Sequence, residues 1–222
     1  MKRVKRVALA LVASALLIGC DPESVSVDVP LSAIERVKTG QTVYVEAEVV
    51  YSVDSSSQKE VPRIKAAIER HFGSAPCRVA YTPATPNGRL RTTFLVPLSS
   101  STSLDGLDAR DQAAPFMLVY DRAGGKLSQV LLRRNLSRLN SRLSDISLEI
   151  EADLGAGPFT FRLLNDIGKS VSATSYAAWV DGAPIPVGKT RIGEMTTILF
   201  NKGTSNTPDF WHEEAPFILL GE

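Results

Sequence analysis

Side chains able to do chemistry are few and scattered in this 222-residue chain. There are two His, His71 and His212, and two Cys, Cys20 and Cys77. His212 lies in Trp211-His212-Glu213-Glu214, a group of metal-binding residue types. It lacks the second His four residues away that would put two imidazoles on one helix face. Neither His has a Ser or Cys beside it, so a nucleophilic triad would need groups brought together from afar. Glu46 with Glu48, and Glu149 with Glu151, place two carboxylates on one strand face. Glycoside cleavage uses such pairs across a bond, but here they alternate with apolar residues, as on the solvated outer face of a sheet. Asp105, Asp108 and Asp111 carry oxygen ligands suited to calcium without the spacing of an EF-hand loop. No nucleophile elbow, phosphate loop or dinucleotide turn occurs. The expectation is a non-enzymatic chain with no catalytic residue, no metal ligand and no dissociable cofactor.

Cys20 has a different setting. Lys2, Arg3, Lys5 and Arg6 precede an uncharged, mostly apolar run at residues 7–19. As a helix this run rises roughly 20 Å at about 1.5 Å per residue, short of a bilayer core of about 30 Å. Positive start, short apolar run and small residues fit an export signal. The run ends Leu17-Ile18-Gly19-Cys20 and resembles the lipobox of bacterial lipoproteins. The resemblance implies cleavage before Cys20, a diacylglyceryl group on its thiol and an acyl group on its new amine. Two or three acyl chains anchor stably where one does not. It also implies that Asp21, next to the lipidated residue, sorts the protein to the inner membrane, on its periplasmic face, with the outer membrane as the alternative. Removing residues 1–19 takes four cations and no acid from a chain of net charge +1, leaving −3. A mildly acidic exported body has no electrostatic footprint for nucleic acid.

Cys77 is then the only thiol left, which excludes an intrachain disulfide. It alternates with Val79 and Tyr81 and reads as a small core residue of a strand.

The chain is 44% hydrophobic and 22% charged, enough apolar content for a packed core. Residues 1–19 are expected to be the signal and 20–24 a short lipidated tether. Val25, Val27 and Val29 begin a strand, and Ser32 with Glu35 has capping-box spacing for a helix over residues 32–38. Residues 42–53 alternate strictly, with Val43, Val45, Ala47, Val49, Tyr51 and Val53 on one face. Val61, Ile64, Ile68 and Phe72 recur at helical spacing, with Ser57 and Glu60 as a second capping box and Pro62 near the start. Residues 77–82 and 89–98 alternate again. Residues 25–98 thus read as an α+β unit, with a helix lying on an antiparallel sheet, and 99–112 as a linker or long loop.

Residues 113–222 read as a mostly β unit with one amphipathic helix. Strands are expected at 116–120, 127–132, 146–153, 158–164, 170–180 and 195–200, with a short one at 217–220. Asp181-Gly182 signals a hairpin, and Pro184 and Pro186 mark the strand after it as an edge. Leu132, Leu136, Leu139, Leu143 and Ile146 form the seam of a helix near 134–144. Arg133, Arg134, Arg138 and Arg142 lie on its other side, a face for water, for lipid phosphates or for an acidic partner. The predicted fold class is α+β, rich in antiparallel sheet.

The order after Cys20 resembles a group of uncharacterised lipoproteins encoded by phages and prophages of Gram-negative bacteria. The residues carrying it are Val25, Val27 and Val29, Leu31-Ser32, the strand through Val53, the helix to Phe72 and Cys77. The chain departs from that group in having no Cys near residues 50–54 to pair with Cys77. The resemblance implies no activity, and superinfection exclusion is one role known among phage lipoproteins. The expected function is a membrane-anchored lipoprotein that binds another envelope protein. The alternatives are a small-ligand module for a peptide or glycan, and a hydrolase with a dispersed site.

Overall fold

The computed structural model describes residues 22–55, 57–100, 113–146, 154, 158–200 and 216–221. Cys20, Asp21, the three linker aspartates, Glu149, Glu151, Trp211, His212 and, beyond Ile146, the strand expected at 146–153 lie outside the described residues.

Strand alternation is carried through into three dimensions. β1 (Pro22–Pro30) buries Val25, Val27 and Val29, and β2 (Val43–Asp54) buries the odd-numbered residues from Val43 to Val53. β3 (Cys77–Thr82) and β4 (Asn87–Ser99) follow after the first long helix. Then come β5 (Phe116–Asp121), β6 (Lys126–Leu131), β7 (Phe159–Leu164), β8 (Ser172–Val180), β9 (Ala183–Arg191), β10 (Met195–Phe200) and β11 (Phe217–Gly221). Among the described residues three α-helices interrupt them: α1 (Leu31–Lys38), α2 (Val61–Phe72) and α3 (Arg133–Ser144).

The fold class differs from the α+β expectation. The strands form one mixed sheet in the order β10-β7-β1-β2-β4-β5-β6-β11-β8, and β8 returns to pair with β10. The result is a closed nine-strand barrel with β3 and β9 attached outside the ring. Helices do not layer on an open antiparallel sheet. The sheet closes on itself, which removes the edges that an open sheet leaves unpaired. Two parallel ladders make this possible. β1 lies beside β7, with Val25 opposite Phe159, and β4 meets β5 at Leu98 and Leu118.

The remaining seven ladders of the ring are antiparallel. An odd number of antiparallel ladders cannot close a ring of straight strands, so one strand must turn. β8 does so at Ala177, whose φ is +44°. Before it the buried side is Ala173 and Ser175; after it the buried side is Ala178 and Val180. The first part pairs with β11 through residues 172–174, and the second pairs with β10 through Trp179 and Val180.

The barrel interior is filled. Phe72, Phe94, Phe116, Phe159, Phe161 and Phe200 run through it as a chain of ring contacts, with centroids 4.9 to 6.1 Å apart. Each ring buried in this way adds to the apolar contribution to folding, at about 25 cal/mol per Å².

Helix starts also depart from expectation. Neither capping box forms. α1 is entered from Pro30 with no side-chain cap, because Ser32 is bonded to Asp166 instead. α2 likewise has no side-chain cap. Ser57 binds the Asp54 carboxylate through its N–H at 3.0 Å, and Pro62 stands in the first turn, where a missing N–H costs nothing. The Asp181-Gly182 hairpin and the β9 edge are as expected: Asp181 and Gly182 have φ of +45° and +84°, and β9 pairs only with β8 among the described residues.

Candidate functional site

The helices sit at opposite ends of the barrel. α1 follows β1 directly and covers the end that Pro30 reaches. α2 follows the end of β2, whose Tyr51 lies opposite Pro22, so it begins at the end where β1 starts. α2 buries Val61, Ile64, Ile68 and Phe72 against the inward residues of β2 and β4. α3 packs on α2, and Leu139 of α3 and Leu154 join Phe72 and Tyr51 around one small interior space. The Pro22 end is therefore roofed by α2 and α3.

Between these two helices runs a groove of about 520 Å³. Arg63 and Arg70 of α2 and Arg142 of α3 line it, with Ala66, Ala67 and Ile146 supplying the apolar part. Asp145 is its one lining carboxylate. Small alanines leave the space open, where a larger side chain would fill it. Arg63 and Arg70 lie seven residues apart, two turns of helix, so both point from the same face. Arg133, Arg134, Arg138 and Arg142 are all exposed on α3, on the side away from Leu139 and Leu143, as their spacing predicts. Arg63 pairs with Glu60 at 2.7 Å, and Lys65 with Glu69 at 3.7 Å. Among the described residues none of the four α3 arginines, nor Arg70, has an ion-pair partner. The contribution of α2 was missed at the sequence level; the spacing of Arg63 and Arg70 was the signal that could have found it.

His71 lies in the last turn of α2, where a cation would suit the helix dipole. It is instead held toward neutrality. Burial lowers its pKa, and the nearby Arg142 and Arg138 guanidinium groups lower it further, against an opposing hydrogen bond to Ala113. Its Nε2 lies 2.8 Å from the Ala113 carbonyl oxygen, so this nitrogen carries the proton and donates. Its role is to tie α2 to the start of β5.

Cys77 is half-buried against the core rather than fully enclosed. Burial, and then the Glu69 charge, push its thiol up to about 11. A thiol so held is a poor nucleophile at neutral pH. Glu46 and Glu48 point outward from β2, and Glu48 pairs with Arg91 at 3.2 Å. They belong to a polar belt that also holds Glu23 with Arg89 and Asp28 with Arg162. Among the described residues no group of three His, Cys, Asp or Glu is placed to hold a metal. Trp179 is partly exposed on β8 rather than packed in the core.

At the far end a smaller groove of about 250 Å³ lies between α1 and the strand ends, lined by Ile34, Lys38, Tyr120, Lys169 and Leu220. Lys38 Nζ stands 5.8 Å from the Tyr120 ring centroid, a cation–π distance. Beside it, Asp166 Oδ1 accepts from the Ser32 N–H at 2.9 Å and Oδ2 from the Ser32 hydroxyl. Slight burial raises the Asp166 pKa, but these hydrogen bonds outweigh it and hold the carboxyl below its ordinary range.

Comparison of the chain with protein-family models, with curated proteins and with solved structures finds no match.

Proposed function

We propose that the mature chain is a lipid-anchored protein on the periplasmic face of the inner membrane and that its barrel is a non-enzymatic module that binds another envelope protein. The anchor is the diacylglyceryl and N-acyl modification of Cys20, with Asp21 as the sorting residue. One observation carries the reading: the lipobox-like Leu17-Ile18-Gly19-Cys20 ends a single residue before β1 begins at Pro22. Two residues of extended chain reach about 7 Å, so the Pro22 end of the barrel is held at the headgroups.

Support for a protein partner comes from the outer surface. Val187 on β9 is 64% exposed and Met195 on β10 is 58% exposed, and Trp179 stands on β8 between those strands. These are the large apolar groups that β8 and the strands joined to it leave in water, and they are the part of the outer surface best suited to a protein partner. Among the described residues, the space beside Phe72 and Phe94 inside the barrel is only about 10 Å³. A phage- or prophage-encoded exclusion factor is one version of this role. A peptide- or glycan-binding module is the second reading, favoured by the far-end groove beside Tyr120 and Lys38.

A photocrosslinking residue in place of Val187, activated in intact cells, tests the proposal. One dominant crosslinked envelope protein is the expected result. No protein adduct at Val187, at Met195 or at Trp179 would overturn it.

A further inference from the structure

We infer that the arginine groove between α2 and α3 receives the phosphate of anionic phospholipid headgroups. The inference rests on the anchored reading above, and three observations carry it.

The first is charge. α2 and α3 together bear seven Lys and Arg against three carboxylates, Glu69 within α2 and Glu60 and Asp145 at the helix ends, on a mature chain whose net charge is negative. Such a concentration of one sign on one face is a focused positive field. The second is chemistry. Arg63, Arg70 and Arg142 line one groove of about 520 Å³, and guanidinium forks match phosphate oxygens in pairs. Beside them Ala66, Ala67 and Ile146 give an apolar wall suited to the glycerol and first acyl carbons. The third is place. One wall of the groove is α2, which begins at the Pro22 end, the end that a lipid on Cys20 would hold against the bilayer. An acidic protein partner would meet the same charges, but the anchor would bring headgroups to this end directly.

The test uses the full processed chain in nanodiscs of phosphatidylcholine, with and without phosphatidylglycerol, read by amide hydrogen exchange. Slower exchange in α2 and α3 is expected only with phosphatidylglycerol, and high salt should abolish it. Protection by phosphatidylglycerol nanodiscs should fall about a hundredfold in the triple variant Arg63→Gln, Arg70→Gln, Arg142→Gln, at about fivefold per cation near an anionic surface. The corresponding triple Lys variant should keep most of it. The salt dependence of the unsubstituted chain gives the answer even if a variant folds poorly. Equal protection in both nanodiscs, equal protection by inorganic phosphate, or protection only on adding an envelope protein would each overturn the inference. Intact mass of the same preparation separates the two readings. An acylated Cys20 without lipid-dependent protection sinks the groove alone, and protection on an unmodified chain sinks the anchor alone.

Discussion

The Glu23 carboxylate grips the Arg89 guanidinium with both oxygens, Nη2 to Oε1 at 2.7 Å and Nε to Oε2 at 3.1 Å. Glu23 is the second residue of β1 and Arg89 lies on β4, so the pair reaches across β2 on the outer surface. It fixes the first strand next to the proposed site of attachment. Both side chains are largely exposed, which keeps the energy small. Arg89→Ala should cost less than about 1 kcal/mol, even with bidentate geometry. Thermal unfolding at low and high salt checks this, and the cost should shrink as salt rises.

The core is far less tolerant. Phe161 is fully buried, 4.9 Å from Phe159 and 6.0 Å from Phe200 by ring centroid. Phe161→Ala removes a central link of the aromatic chain and should cost about 3–5 kcal/mol. Chemical denaturation of the variant, compared with the parent, measures it.

The turn in β8 makes a sharper forecast. Ala177 holds φ at +44°, a conformation that costs a side-chain-bearing residue roughly 1–2 kcal/mol. Ala177→Gly should stabilise the protein by up to about 1 kcal/mol, because glycine accepts that φ freely and gives back part of the gain as chain entropy. Ala177→Val should destabilise it by more than about 1 kcal/mol. Denaturation midpoints of the pair decide, and a loss of stability in the glycine variant would mean that the ring closes in some other way.

Acid sensitivity follows from His71. Its folded pKa lies below the ordinary value, chiefly through burial. Below about pH 6.5 the unfolded chain takes up a proton that the folded chain refuses. Stability from this residue is therefore complete above about pH 6.5 and falls as pH drops through that value toward the folded pKa. His71→Gln keeps a donor for the Ala113 carbonyl oxygen and removes the titration. Its stability curve should be flatter over the same range when unfolding is followed at several pH values.

Cys77 should be slow to alkylate. With its thiol pushed up to about 11, the thiolate fraction near neutrality is lower than that of a free cysteine by about a hundredfold. Labelling rates of the native and denatured chain give the comparison, and rapid native labelling would show that burial does not control this thiol.

Local pattern carried the elements and missed how they join. The alternation of Val43 through Val53 and the spacing of Val61, Ile64, Ile68 and Phe72 are dictated by which side of each element meets the core, so they show in the chain. The β1–β7 ladder joins Val25 to Phe159, and no local period records a partner so distant. Without it the strands read as open antiparallel sheet, hence the α+β expectation. Ser32 illustrates the same limit: its spacing to Glu35 suits a cap, but Asp166, 134 residues away, takes the hydroxyl. At the site, the arginines of α3 were visible because one helix displays them all. Their union with Arg63 and Arg70 depends on α3 packing against α2, which only the closed barrel enforces.

The anchor is the premise behind the orientation of the barrel and the role of its basic end. Intact mass spectrometry of protein extracted from membranes tests it most directly, with Cys20→Ser in parallel. The account predicts a chain beginning at Cys20 and heavier by its acyl groups, and an uncleaved, unmodified Cys20→Ser product. A wild-type chain that keeps residues 1–19, or begins at Cys20 without added mass, would contradict it.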